Sequence, residues 1–175
     1  MDHGLIESLV ATRPHPSLGA HADTYGRVIG SWTGELARFQ EGKSAASASV
    51  EVHFAWVLEG RAIQDVWITP ARTERRSNVN DSGLDWYGST LRVFEPSTGA
   101  WNTTWIDPMS QLRIELVGRR QGDDIVQIGT RGGRPIRWIF SEITAASFTW
   151  RGHILSVDGV TWTPEVEMKF RRLKP

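Results

Sequence analysis

Apolar and polar residues alternate along most of the chain after residue 29, in short runs that end at turn residues. Alternation with a period of two is typical of β-strands, and no stretch with helical spacing lies between the runs. The pattern predicts an all-β fold with antiparallel strands near residues 29–39, 46–58, 61–69, 86–95, 100–107, 111–119, 124–130, 135–143, 147–157 and 163–173.

The arrangement of these strands predicts a single domain with two parts. Ten consecutive strands joined by hairpins favour an up-and-down β-barrel over residues 29–175, with a two-sheet sandwich as the alternative. Helical signals are confined to residues 1–28, which we expect to form a short helical segment across one end of the barrel. Residues 70–84 are polar and long for a hairpin, which predicts a mobile loop or lid there.

One aspartate stands out in this pattern, because Asp65 interrupts the mostly apolar stretch from Val50 to Pro70. The connection Leu58-Glu-Gly-Arg61 predicts a two-residue turn, which pairs Phe54 with Asp65 across the hairpin. Paired residues share a face of the sheet, and Phe54 belongs to the apolar face. Asp65 is therefore predicted to point into the barrel, unless a β-bulge shifts the register.

The same argument about register, applied to the other strands, predicts a lumen lined by aromatic side chains with few polar groups. The predicted ligand-binding residues are Phe54, Trp56, Ile63, Trp67, Phe94, Trp101, Thr103, Trp105, Trp138, Phe140 and Trp150. The polar groups Asp65, Arg92 and Glu142 are the predicted catalytic residues if the protein is an enzyme. A carboxyl group in an apolar cavity can act as a general acid or base, and an arginine beside it can stabilise an oxyanion.

The composition is unusual in one respect, because the chain has nine tryptophans and only two tyrosines. Nine large rings in a small domain either fill a core or line a cavity for a flat, apolar ligand. Lysine plus arginine and aspartate plus glutamate both number 20, so the charge balance favours neither nucleic acid nor an anionic membrane as a partner. The N-terminus has no long apolar run, and we expect a soluble, cytoplasmic protein, with a homodimer left open.

Metal and nucleophile chemistry find little support in the sequence. The chain has no cysteine, and its five histidines form no closely spaced pair, so we expect no metal and no cofactor. A haem bound by one histidine would need His53 or His153, and both fall on the predicted outer face. No nucleophile-elbow motif is present.

Three stretches of the chain form a further pattern: Gly30-Ser-Trp32, the hairpin Phe54–Arg61, and Ser156–Trp162 followed by a last strand that ends in Arg171-Arg172. Gly30-Ser-Trp32 resembles the G-x-W signature, and the three together resemble lipocalin-like (calycin) β-barrels, in particular a group of bacterial lipocalin-like domains of uncharacterised function. The resemblance implies a barrel with an internal cavity, in which Trp32 closes one end and packs under Arg171 or Arg172. It implies no particular reaction.

These observations leave three classes of function. The first is the binding of a small hydrophobic or aromatic molecule in the lumen. The alternative is a cofactor-independent isomerase, cyclase or lyase that uses the buried carboxyl group in the same lumen. The third class is a barrel with a filled core that acts through its surface.

Overall fold

The computed structural model describes residues 3–40, 43–75 and 84–174, and it is an all-β barrel. Three short helices and one short strand precede the barrel: helix α1 (Gly4–Leu9), strand β1 (Val10–Ala11), a 3-10 helix (Pro16–Ala22) and helix α2 (Asp23–Gly26). The barrel strands are β2 (Gly30–Gln40), β3 (Lys43–Val57), β4 (Ala62–Thr69), β5 (Trp86–Glu95), β6 (Ala100–Asp107), β7 (Leu112–Gln121), β8 (Asp124–Arg131), β9 (Arg134–Ser141), β10 (Ser147–Leu155) and β11 (Trp162–Arg172). The ten predicted strands are therefore confirmed, and β1 is an additional one.

The ten strands β2 to β11 close into a ring. Each pairs antiparallel with its neighbours in the chain, and β11 returns to pair with β2, while β3 pairs with both β2 and β4. The up-and-down barrel is confirmed, and the two-sheet sandwich is excluded. Closure leaves the barrel strands without an open edge in the part of the chain that the structure describes.

The predicted turn between β3 and β4 is present. Residues 58–61 connect the strands: Arg61 N–H donates to the carbonyl of Leu58 at 3.1 Å, and Leu58, Glu59 and Gly60 have positive φ, which leaves the predicted register unchanged. Phe54 therefore pairs with Asp65. Asp65 is 1% exposed, so its predicted inward orientation is confirmed.

Side chains of the N-terminal segment pack among the aromatic side chains of the barrel. Tyr25 of α2 is fully buried and meets the rings of Trp101 and Phe140 edge to face, with centroid distances of 5.4 and 6.0 Å. His21 stacks on Phe94 at 4.2 Å. We call this half of the barrel, where these aromatic side chains pack, the filled half.

Trp32 and Arg172 lie at the filled end in the arrangement that the lipocalin resemblance implies. The Arg172 guanidinium lies 3.9 Å from the centroid of the buried Trp32 ring. It also donates to the carbonyl groups of Ile29 and Ala145, at 2.7 and 2.6 Å. The arginine thereby ties the last strand to the start of the first barrel strand.

Residues 76–83 of the predicted loop lie outside the described residues. The part that precedes them is anchored to the barrel wall, because Arg72 forms an ion pair with Glu51, and Arg75 donates to the carbonyl of Thr69 at 3.0 Å. Glu74 accepts a hydrogen bond from Ser49 Oγ at 2.8 Å.

Candidate functional site

A cavity of about 410 Å³ occupies the half of the barrel opposite the filled half. We call this half the mouth half. Of the described residues, five tryptophans line it, namely Trp67, Trp86, Trp105, Trp138 and Trp150. They reach it from β4, β5, β6, β9 and β10, because the inward positions of these strands fall on the same side of the pleat.

The tryptophan rings contact one another around the wall. Trp150 lies 5.7 Å from Trp67 and 5.5 Å from Trp138, and Trp138 meets Trp105 edge to face at 6.2 Å. Rings held by their neighbours in this way lose little freedom when a ligand packs against them. The wall is therefore a preformed aromatic surface.

The inner end of the cavity is polar, with Thr90 and Arg92 in its lining. The Arg92 guanidinium forms an ion pair with Asp65, with 2.5 Å between Nη1 and Oδ2. The other Asp65 oxygen accepts the backbone N–H of Thr90 at 2.8 Å. Both side chains of the ion pair are at most 1% exposed.

Gln127 and Tyr25 continue this polar group into the filled half. Gln127 Oε1 accepts from the Tyr25 hydroxyl at 2.7 Å and from Arg92 Nε at 3.2 Å. Burial raises the pKa of Tyr25 to about 12, although Arg92 lowers it in part, so the phenol stays protonated near neutral pH. The Arg92 guanidinium also lies 4.9 Å from the centroid of the Tyr25 ring.

Charged residues also line the mouth of the cavity. Asp107, at the end of β6, is 2% exposed and accepts hydrogen bonds from Met109 N–H at 3.0 Å and from the Ser110 hydroxyl. Arg131 and Glu165 form an ion pair there. Arg38 completes the charged residues of the described lining.

The structure brings some of the predicted site residues together at the cavity and places others elsewhere. Trp67, Arg92, Trp105, Trp138 and Trp150 line the cavity. Asp65 lies behind Arg92, and the remaining predicted ligand contacts pack outside the described lining: Phe54, Trp56, Ile63, Phe94, Trp101, Thr103 and Phe140.

The predicted position of Glu142 on the lumen face is wrong, because the structure places this residue on the outer surface. Strand β9 ends at Ser141, and Glu142 has a positive φ of 54°, which turns its side chain out of the alternation. It is exposed and accepts a hydrogen bond from Thr149 at 2.6 Å. It also forms an ion pair with Arg151 on the outer surface.

Several residues of the site were not predicted. Gln127 occupies an inward position of β8, and strand alternation could have identified it. Tyr25 lies in a helical segment, and no local pattern indicates that its ring enters the barrel. Asp107 differs from these two, because strand alternation places it on the same inward face as Trp105 from the sequence, although it was not among the predicted catalytic residues.

Both histidines considered for haem binding lie outside the cavity lining. His53 is half-buried on the outer face, with its Nδ1 2.8 Å from Ser31 Oγ and its Nε2 3.1 Å from Arg72 Nη2. His153 pairs with Pro164 after a register shift in β10 and is also half-buried. Among the described residues, no cluster of histidine and carboxylate side chains is suited to hold a metal ion.

The described helices are all too short or too polar to span a lipid bilayer.

Comparisons with known proteins support the fold. No protein-family model matches the chain, and no curated protein matches its sequence. The crystal structure of Rv2717c from M. tuberculosis matches with a TM-score of 0.63 and 16% identity, over 92% of this chain and 99% of that one. The S-type phycobiliprotein lyase CPES from Guillardia theta matches with a TM-score of 0.60 and 11% identity, over 89% and 93% of the two chains.

The closed ten-stranded barrel and these two matches define the class: the chain is a lipocalin-like (calycin) β-barrel. It is a tryptophan-rich member of that fold with an aromatic-lined cavity. At 16% and 11% identity, the likeness extends to the fold alone.

Proposed function

We propose that this protein binds a small hydrophobic, aromatic molecule in the mouth half of the barrel. The observation that carries the proposal is the cavity of about 410 Å³ whose described lining contains five tryptophans and a polar inner end. Cavities of roughly 300–1,000 Å³ with apolar walls and a few converging polar groups are the usual sites for small molecules.

The size and shape of the cavity indicate the kind of ligand. Flat rings can pack against the tryptophan pairs of the lining, whose rings are tilted by 57° to each other. A ligand of two or three fused rings is of the size that such a volume accommodates. The proposed partner is accordingly a small molecule, and nothing in the proposal involves nucleic acid or a membrane.

Tryptophan fluorescence tests the proposal. Titration with a fused-ring aromatic such as anthracene should give saturable quenching, because five of the nine tryptophans border the cavity. Trp105→Phe and Trp138→Phe should each reduce the amplitude of quenching. Trp162→Phe is the matched control, since Trp162 lies against Arg137 and outside the described lining. Quenching that does not saturate, or that depends equally on Trp162, would refute the proposal.

Catalysis without a cofactor, of the isomerase, cyclase or lyase type, is the second candidate. Asp65 was its predicted acid or base, but both Asp65 oxygens accept hydrogen bonds, and Asp65 lies behind Arg92. Asp107 borders the cavity directly and is a buried carboxyl group in the lining. These positions favour binding over catalysis by Asp65.

Deuterium exchange tests this second candidate. A bound aryl methyl ketone in D₂O should exchange its α-protons faster with the protein present if a carboxyl group acts as a general base. Loss of the acceleration in Asp65→Asn would assign the base to Asp65, whereas loss in Asp107→Asn would assign it to Asp107. Exchange at the rate of the protein-free solution would exclude both.

A further inference from the structure

The inner end of the cavity has balanced charges. Arg92 carries one positive charge and Asp65 one negative charge, and the two side chains are 1% and 0% exposed. Their neighbours Thr90, Gln127 and Tyr25 are uncharged, because the Tyr25 phenol is held in its protonated form. An arginine without a counter-ion would attract an anion, but here the counter-ion is part of the protein.

The same balance extends to the whole described lining. It contains three arginines, Arg38, Arg92 and Arg131, and two carboxylates, Asp107 and Glu165. Asp65 is the third carboxylate, directly behind Arg92. The formal charge around the described part of the cavity is therefore zero.

Arg92 nevertheless remains a strong hydrogen-bond donor. A guanidinium carries five N–H groups, the hydrogen bonds to Asp65 and Gln127 use two of them, and the Tyr25 hydroxyl is a third partner, so donors remain for a ligand. Hydrogen bonds donated by a charged group stabilise a neutral oxygen acceptor more than those of neutral donors do. Thr90 adds a hydroxyl group to the same end of the lining.

A ligand with a carboxylate at this position would bind less tightly than a ligand with a neutral oxygen. It would bring a second negative charge next to Asp65, in a place where both side chains of the ion pair are almost fully buried. The cost of removing its charge from water would then be offset only in part, because Asp65 already neutralises Arg92.

From these charges we infer that the preferred ligand of the cavity is an aromatic molecule with a neutral oxygen acceptor, such as a ketone or quinone carbonyl, that points to Arg92 and Thr90. Asp65 is then a specificity-determining residue, since it excludes aromatic carboxylates. The inference rests on the proposed function, because it requires that the cavity bind aromatic molecules.

A matched series of ligands tests the inference. Acetylnaphthalene, ethylnaphthalene and naphthoate, substituted at the same ring carbon, share one ring system and differ in the group that would meet Arg92. Calorimetric titration at neutral pH should give the tightest binding for acetylnaphthalene, by about tenfold over ethylnaphthalene, which corresponds to one hydrogen bond from a charged donor. Naphthoate should bind more weakly than both.

The outcomes separate the inference from the proposed function. If naphthoate binds as tightly as the ketone, or if ethylnaphthalene does, the aromatic site stands and the inference is wrong. If none of the three binds, the proposed function fails with it.

Variants make the role of Asp65 testable. Asp65→Asn keeps the shape and leaves Arg92 without its counter-charge, so the affinity for naphthoate relative to acetylnaphthalene should rise at least tenfold. Arg92→Met should remove the preference for the ketone over ethylnaphthalene. Glu142→Gln makes the matching change on an exposed carboxylate of the outer surface and should leave all three affinities as they are.

Folding of the variants is checked by circular dichroism, and the wild-type series decides the inference if a variant fails to fold. An unchanged ratio of naphthoate to ketone affinity in folded Asp65→Asn would overturn the role of Asp65.

Discussion

The ion pair between Asp65 and Arg92 is the most consequential residue-scale feature of the barrel. Both side chains are buried, and Gln127 and Thr90 complete their hydrogen bonds. Removing one partner of a buried pair leaves an uncompensated charge, which costs more than the pair itself contributes to stability. The pair therefore controls both the stability of the barrel and the polarity of the cavity.

We expect Asp65→Asn and Arg92→Met each to lower the free energy of unfolding by about 3–5 kcal/mol. The double variant should lose less than the sum, with a coupling of about 2 kcal/mol, because it leaves no unpaired charge. Urea denaturation of the four proteins, analysed where their m-values agree, measures this cycle. If the losses of the two single variants add up to the loss of the double variant within about 0.5 kcal/mol, the two residues are not coupled.

A pH dependence of stability should arise at His53. Burial lowers the pKa of His53, and the nearby Arg72 lowers it further against the opposing effect of Glu51. The unfolded chain therefore binds a proton more readily than the folded one, so the contribution is present above the ordinary histidine pKa and is lost as the pH falls through the folded-state pKa.

The urea concentration at the unfolding midpoint should therefore decrease when the pH is lowered from about 7.5 to about 5. The decrease should be smaller in His53→Gln. The pKa of His153 is lowered as well, mainly by burial, so His153→Gln is the parallel variant and should remove a separate part of the fall. An identical pH profile for His53→Gln and the wild type would contradict this assignment.

The sequence predicted some residue positions well and others wrongly, for physical reasons. Asp65 was placed correctly because the turn at Glu59-Gly60 fixes the register of both strands that it joins. Glu142 was misplaced because alternation holds only while the backbone stays extended, and its positive φ ends that regularity. No neighbour in the sequence reveals the insertion of Tyr25, since the contacts that hold it lie about a hundred residues away, at Gln127.

At the scale of elements, closure of the barrel depends on how closely neighbouring strands approach. Gly34 of β2 lies opposite Phe170 of β11, and a Cβ at position 34 would come within 2.1 Å of the Lys169 carbonyl oxygen. Glycine is needed there for close backbone approach, and its φ is not the reason. The β2–β11 pair is the one that joins the two ends of the barrel sequence.

Gly34→Ala should therefore destabilise the protein by about 3 kcal/mol, because the backbone of β11 must move to admit the methyl group. Gly26→Ala is the matched control. A Cβ there would meet the Trp56 ring at 3.5 Å, which is an ordinary contact, and the change should alter stability by less than about 1 kcal/mol. Thermal unfolding of the two variants measures the difference, and equal melting temperatures would refute the role of Gly34.

The strand assignments were predictable because turn residues separate them. Gly122, Gly132 and Gly133 have positive φ in the turns after β7 and β8, as the sequence indicated. Strand β1 was missed, since two residues carry no periodicity and their pairing with Trp56 and Val57 is a tertiary contact. The register shifts in β2 and β10 were not predicted either.

At the scale of the whole molecule, the barrel has two unequal halves. The filled half contains stacked and edge-on rings, such as Phe148 and Phe170 with centroids 4.6 Å apart. The mouth half contains the cavity. The sequence predicts aromatic residues in both halves, and it cannot tell them apart because the difference comes from the N-terminal segment that packs into one end.

Truncation of an aromatic ring should have different effects in the two halves. Phe148→Ala should cost about 3–5 kcal/mol of stability and leave the affinity for aromatic ligands unchanged, because the ring fills the core away from the cavity. Trp105→Ala should cost less, about 1–2 kcal/mol, since this half-buried ring already borders empty space.

Trp105→Ala should also weaken ligand binding by tenfold or more. Urea denaturation and titration with the same ligand measure the two quantities for each variant. Loss of affinity in folded Phe148→Ala, with none in Trp105→Ala, would contradict the division into halves.

The plug that Tyr25 forms in the filled half has a kinetic consequence. A barrel that is open at both ends can pass a ligand through, whereas a barrel that is closed at one end must release the ligand along the path by which it entered. Association and dissociation of the ligand then use the same opening. A substitution at Arg131 or Glu165 that narrows this opening should lower both rate constants and leave the equilibrium affinity nearly constant. In a barrel closed at one end, the contacts deep in the cavity set the affinity for the ligand, and the width of the cavity mouth sets its residence time.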